Sequence, residues 1–382
     1  MKVAQELYHK TDYLKSVSFG GHPIGDEGLK EILSALYRTP YLQSLSLHGT
    51  SIGVQGAKYL SIFLRKTKVA SLDISNNSMA DGIVQVAEAL KNNSNLTQLT
   101  LSNCKIEESL PYLLENLASV ESLKTLVLSS NVINEKNAEK MADFLSKNNS
   151  VETVDVSNCK MGGKALSAIF EALEDNKTLA KLAIGGNNFT AESIQALTKS
   201  LKRNSSLNSL SFCNSKLDAS TIKEMGNMLS EKLHLQELDL SNAGIENDNC
   251  SVLFEPLKKS SYLKSVSFSD NPLSDARAVA ELIESNRSLK RLDLGSTKIG
   301  TWDFEGKILP ALKNNWYLTE LSSYGLFIRS RAGEGERMMA PYLKRNAHIQ
   351  TKLVMLLLRG RSECVLSKLP RRVLIHLFTF IS

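Results

Sequence analysis

The sequence is short of the residues that carry metals, disulfides and membrane spans. Its five cysteines, at 104, 159, 213, 250 and 364, are an odd number and form no C-x-x-C pair. That excludes a zinc ribbon and a disulfide scaffold, and it fits a reducing, cytoplasmic compartment. The six histidines, at 9, 22, 48, 234, 348 and 376, have no metal-ligand spacing. No apolar run approaches the ~18 residues that a bilayer crossing needs, and the longest candidate is LVMLLL at 353–358. The opening MKVAQELYHKTDYL lacks the apolar stretch of a secretory signal.

Catalytic signatures are missing as well. There is no G-x-S-x-G, no H-E-x-x-H and no kinase set. GTWDFEGKI at 300–308 has the spacing G-x5-G-K, with Ile308 where a phosphate loop needs Ser or Thr. MGGKAL at 161–166 has no glycine at the required earlier place. The expectation is therefore no enzyme, no cofactor and no metal.

What is present is ample core material and an uneven charge. Hydrophobic residues make up 42% of 382 residues, enough for a folded core. The net charge of +6 is concentrated at the end: residues 329–382 carry eleven Lys/Arg against three Asp/Glu, so 1–328 is about −2. Binding to nucleic acid needs basic residues interleaved with aromatics on one surface. A basic tail alone does not supply that, so no nucleic-acid partner is expected.

The dominant feature is a repeat. The unit L-x-x-L-x-L-x-x-N/C-x-L recurs with its first apolar residue at Leu14, Leu42, Val69, Leu96, Leu123, Val151, Leu179, Leu207, Leu235, Leu263, Leu289 and Leu318. The steps stay between 26 and 29 residues. Only the twelfth copy is degraded, with Ser323 replacing its third apolar residue.

Within each unit the apolar period changes. LTLS alternates like a strand with one face buried, and a helical pattern follows about ten residues later. In the third unit it is DGIVQVAEALKNN (81–93), with Ile83, Val86, Ala87 and Leu90 on one stripe. The helices end in asparagines: Asn92–Asn93, Asn148–Asn149, Asn176, Asn204, Asn286 and Asn314–Asn315. The expected reason is that asparagine tolerates the left-handed backbone that stops a helix. One strand and one helix cannot bury their apolar sides alone, but stacked copies can. Because a helix is wider than a strand, the stack curves into a horseshoe, an α/β solenoid with parallel strands inside and helices outside.

These residues resemble the ribonuclease-inhibitor-like class of leucine-rich repeat proteins over roughly 14–328. The resemblance implies a true helix on the convex side and a binding role for the horseshoe. It also implies two alternating unit types, with asparagine or cysteine at the ninth position. Here the ninth positions run His22, Thr50, Asn77, Cys104, Asn131, Cys159, Asn187, Ser215, Ala243, Asn271 and Thr297. The position lies where the chain leaves the strand, beside backbone groups that need partners. Cys104 and Cys159 are accordingly read as structural. A stand-alone array rich in Asn, Ser and Lys also resembles effectors that intracellular bacteria deliver into host cells.

Between the leucines, side chains point to the inner surface. The central row reads Ser18, Ser46, Asp73, Thr100, Val127, Asp155, Ala183, Ser211, Asp239, Ser267, Asp293 and Ser322. Neighbouring columns add Glu152, Gln236, Glu237, Lys264, Lys290 and Arg291, and among large side chains only His48 and Tyr324 stand out. The four aspartates, Asp73, Asp155, Asp239 and Asp293, make a mildly acidic groove for a partner protein. Aromatics gather late: Trp302, Phe304, Trp316, Tyr317, Tyr324 and Phe327. Trp302, Trp316 and Tyr324 are the candidate contact anchors there, with closure of the open core as the competing explanation.

The organisation expected is an N-terminal cap (1–13), an array of about twelve units (14–328) and a basic C-terminal cap (329–382). Within the last part, a helix is expected from Met338 to Arg345, and HIQTKLVMLLL (348–358) fits a thirteenth strand or a helix. LSKLPRRVLIHLFTFIS (366–382) spaces Val373, Leu374, Leu377, Phe378 and Ile381 as an amphipathic helix with Pro370 in its first turn. That segment resembles the first helix of F-box and related ubiquitin-ligase adaptor motifs. The function expected is a non-catalytic protein-binding scaffold. The alternatives are a GTPase activator of the Ran type, which uses this repeat class, and a ubiquitin-ligase substrate adaptor.

Overall fold

A computed structural model of the chain describes residues 13–91, 93–324 and 334–358. Twelve strands of three residues each, from β1 (Ser16–Ser18) to β12 (Glu320–Ser322), form one parallel sheet in strict chain order. Each strand pairs with the next without slippage, so that Leu45 sits beside Leu72 and Leu72 beside Leu99. The pattern half-buried, buried, half-buried recurs along the strands. It follows from the two-residue period, which sends the central leucine into the core and its neighbours to the inner surface.

A helix follows each strand. Gly82–Leu90 buries Ile83, Val86, Ala87 and Leu90, as the sequence stripe requires. Large aromatics, among them Phe63, Phe170, Phe212, Phe254 and Phe268, fill the space between sheet and helices. The penultimate unit, whose step is 29 residues, departs from the others. Its convex segment contains a π turn, Phe304–Ile308, in which Leu309 N–H donates to Phe304 O five residues back. Pro310 follows directly and has no N–H to give, so the regular i to i−4 ladder is interrupted there.

The helix ends correct one expectation. Asn148, Asn286 and Asn315 have φ of −75, −74 and −85°, an extended and not a left-handed backbone. They stop helices by hydrogen bonding. Asn315 Oδ1 accepts from the N–H groups of Tyr317 and Leu318 (2.8 Å each), and its Nδ2 donates to Ile283 O in the preceding unit (2.6 Å). Asn286 does the same toward Ser288, Leu289 and Leu257. Positive φ falls instead on the residue before the ninth position, as at Asn76, Asn103, Asn158, Asn214 and Asn242. There the chain must turn off the strand within one residue.

Residues 348–358 continue a helix, Glu334–Leu358, and do not form a thirteenth strand. That helix contains the stretch Met338–Arg345 and serves as the convex helix of the twelfth unit. Residues 1–12 of the N-terminal cap, Phe327, Cys364 and the segment 366–382 lie outside the described residues.

Candidate functional site: the concave face

The inner face is built by the strand residues flanking the buried leucines. Its four aspartates share one local arrangement. In each, Oδ1 accepts a backbone N–H two residues further on: Ser75 for Asp73 (3.0 Å), Ser157 for Asp155 (2.9 Å), Ser241 for Asp239 (2.9 Å) and Gly295 for Asp293 (2.9 Å). One oxygen of each carboxylate thus holds the turn that leaves the strand, a task that short polar side chains perform well. The other oxygen, Oδ2, has a side-chain partner in two of them. In Asp239 it accepts from Ser211 Oγ (2.8 Å), and in Asp73 from Ser46 Oγ (3.3 Å).

Around Asp239 the hydroxyls link up. Ser241 Oγ lies 2.5 Å from Asp239 Oδ1 and 2.8 Å from Ser267 Oγ, and Ser269 Oγ donates to it at 3.0 Å. Beside this network Arg291 reaches Glu237 Oε1 at 2.9 Å, crossing from β11 (Arg291–Asp293) over β10 (Ser265–Ser267) to β9 (Glu237–Asp239). Lys124 pairs with Glu152 in the middle of the array at 2.9 Å. The face is polar, internally bonded and nearly free of large anchors. Sequence reasoning missed these networks, although the recurring D-x-S/G spelling was their available signal.

The aromatic candidates do not form one patch. Trp302 begins the convex segment after β11 and is 81% exposed. Trp316 lies in the turn before β12, at the opposite end of the parallel strands, with the Arg345 guanidinium 3.8 Å from its ring centre. Tyr324, 56% exposed, follows β12 and lies against Gly295, where an added Cβ would meet its ring at 2.4 Å. His48 is exposed on the same rim and contacts Asn76 at 3.2 Å.

The ninth-position column explains the alternation in the sequence. Asn131 Oδ1 accepts Cys104 N–H (2.9 Å), and its Nδ2 donates to Leu101 O and Leu128 O (2.8 Å each). Asn187 repeats this toward Cys159, and Asn271 toward Ala243. Each asparagine serves its own unit and the one before, so the preceding unit needs only a small residue. Burial pushes the Cys104 thiol up to about 11 and the Cys159 thiol up to about 12. At neutral pH both remain protonated weak donors.

Chemistry elsewhere is sparse among the described residues. No group of three or more His, Cys, Asp or Glu is placed to hold a metal ion. GTWDFEGKI spans the start of a convex segment and its π turn, with Lys307 paired to Asp303 at 2.6 Å. Among the described residues no helix is long and apolar enough to cross a membrane.

Comparison with known proteins agrees with this geometry. A family model described as the PRAME C-terminal domain matches residues 56–233. A leucine-rich repeat model matches 13–33 and 285–301. The chain folds as a leucine-rich repeat solenoid. Among solved structures the array is similar to a chain of the yeast Rad7 and Elc1 complex. There the TM-score is 0.54 and the identity 18%, over 86% of this chain and 83% of that one, a likeness of fold. It is also similar to the tropomodulin C-terminal domain of Caenorhabditis elegans, with a TM-score of 0.36 and 19% identity over 44% of this chain and 98% of that one. No curated protein matches the sequence.

Proposed function

We propose that the protein is a non-catalytic scaffold that holds a partner protein on its concave face, in a cytoplasmic setting. The observation that carries this reading is the inner face itself, a twelve-strand surface whose polar groups are fixed by internal bonds. A surface ordered before binding loses little entropy when a partner docks. Asp73, Asp155, Asp239 and Asp293 set four carboxylates along the strands of this face, which favours a partner with basic or amide donors. Tyr324 and Trp302 offer exposed rings on the rim where the strands end, whereas Trp316, stacked on Arg345, lies on the opposite rim. The buried asparagine and cysteine column supports the ribonuclease-inhibitor-like subclass, and the free cysteines 104, 159, 213 and 250 support a reducing compartment. The adaptor reading rests on 366–382, outside the described residues.

The test is photo-crosslinking in a cell lysate. A photoreactive amino acid in place of Ser209 on the inner face captures a defined protein, while the same group in place of Glu139 on the convex side does not. Equal capture from both positions, or from neither, contradicts the proposal.

A further inference from the structure

The rim from which the strands start changes character along the stack. Through the middle units the residue just before the strand is small, neutral and polar, or one half of the Lys124–Glu152 pair. Before β10 and β11 it is Lys264 and then Lys290. These two stand side by side, with Lys290 N–H donating to Lys264 O at 2.7 Å. Burial, and then the Lys264 charge, hold the Lys290 amine down at about 8. Arg287, exposed in the turn before β11, adds a third cation. Its guanidinium and the Lys290 amine lie 5.7 and 5.8 Å from the centre of the Tyr317 ring. Lys259 and Lys313 are exposed on the same rim, against the exposed carboxylates Glu284 and Glu320. Next to them Glu237 accepts from Arg291 at 2.9 Å, so the rim already holds one carboxylate among its cations.

The rings narrow the choice of ligand. Single-stranded nucleic acid is held by bases stacked on open aromatic faces. Tyr317 is only 5% exposed, and Trp316 carries the Arg345 guanidinium at 3.8 Å. That guanidinium is itself committed to Lys313 O, Asn315 O and Asn346 Oδ1. These rings fix cations and offer bases no platform. A lipid surface is gripped by apolar side chains inserted beside the cations. Among the described residues, the turns before β10, β11 and β12 expose no large apolar side chain. Carboxylates on a peptide need neither feature, only cations held in place.

We propose that the rim formed by Lys264, Arg287 and Lys290 binds an acidic peptide segment of a partner protein. This surface rests on the scaffold reading in taking a protein as its ligand. Its test uses a defined peptide, so it can fail while capture at Ser209 succeeds.

The experiment measures fluorescence anisotropy of a labelled oligo-L-glutamate peptide with the full chain at physiological salt. The peptide binds saturably. The combined variant Lys264→Gln, Arg287→Gln and Lys290→Gln weakens binding at least tenfold. Lys136→Gln, Lys140→Gln and Lys164→Gln together remove the same charge from the exposed convex side and change it less than twofold. Equal loss in both variants, no loss in the first, or no saturable binding overturns the proposal. So does tighter binding of oligothymidylate or of phosphatidylserine vesicles that the first variant abolishes. If that variant does not fold, Arg287→Glu alone, at an exposed position, weakens peptide binding severalfold, and an unchanged affinity there overturns it too.

Discussion

Asn131 and Cys104 lie 27 residues apart, yet the asparagine side-chain oxygen takes the cysteine backbone N–H at 2.9 Å inside the core. This bond repeats as Asn187 to Cys159 and Asn271 to Ala243, and it converts a sequence period into a stack of mutually dependent units.

Asn131→Ala removes the partners of Cys104 N–H and Leu101 O and leaves Leu128 O only the weak Cys159 thiol donor. Buried groups left unpaired cost ~1–3 kcal/mol, so the expected loss is about 3 kcal/mol in urea unfolding. Asn131→Asp loses more, because a carboxylate has no donor for the two carbonyls and is buried besides. Cys104→Ser stays within about 1 kcal/mol, since the hydroxyl occupies the same place.

The thiols titrate in a predictable direction. Cys104 and Cys159 are raised from 9.0 to about 11 and about 12 by burial. Below pH 9 they are protonated in both folded and unfolded chains and add no pH dependence. As pH rises from 9 toward 12 the unfolded chain gives up protons that the folded one keeps, so stability falls. At pH 8, alkylation of the native protein followed by peptide mapping labels half-buried Cys213 ahead of Cys104 and Cys159, and denaturation abolishes the difference.

Charge and structure separate at Asp239. Asp239→Asn keeps an oxygen for Ser241 N–H and costs about 1 kcal/mol or less, whereas Asp239→Ala strands that N–H and costs ~1–3 kcal/mol. If the acidic groove attracts the partner, Asp239→Asn weakens binding and steepens no thermal loss, as calorimetry of both variants reads directly.

The two tryptophans respond differently. Trp302→Ala changes stability by about 0.5 kcal/mol or less, because the ring is exposed. Trp316→Ala costs ~1–2 kcal/mol through the lost Arg345 stack. Iodide quenches the emission of a Trp316→Phe variant, which reports Trp302, more strongly than that of Trp302→Phe.

Much of the fold was legible because periodicity is a strong signal. Twelve apolar starts gave twelve strands, and the buried stripe of the third helix sat at the positions its spacing required. The helix-ending asparagines were located correctly but explained by the wrong physics. Local preference pointed to a left-handed turn, while inter-unit bonding holds Asn148, Asn286 and Asn315 extended. The aromatic cluster misled for a related reason. Trp302 and Trp316 are fourteen residues apart, half a repeat, and half a repeat carries the chain to the opposite rim. The Arg291 to Glu237 bridge depends on the register of three strands, which no single unit of sequence reveals.

Affinity for the partner recovered by crosslinking, measured with arginine placed on the inner face, tests the account most directly. Ser209 and Thr153 are half-buried strand residues flanking buried leucines. Ser209→Arg with Thr153→Arg keeps the circular dichroism spectrum and melting temperature and weakens binding at least tenfold. Undiminished affinity in that folded variant would place the working surface elsewhere and contradict the account.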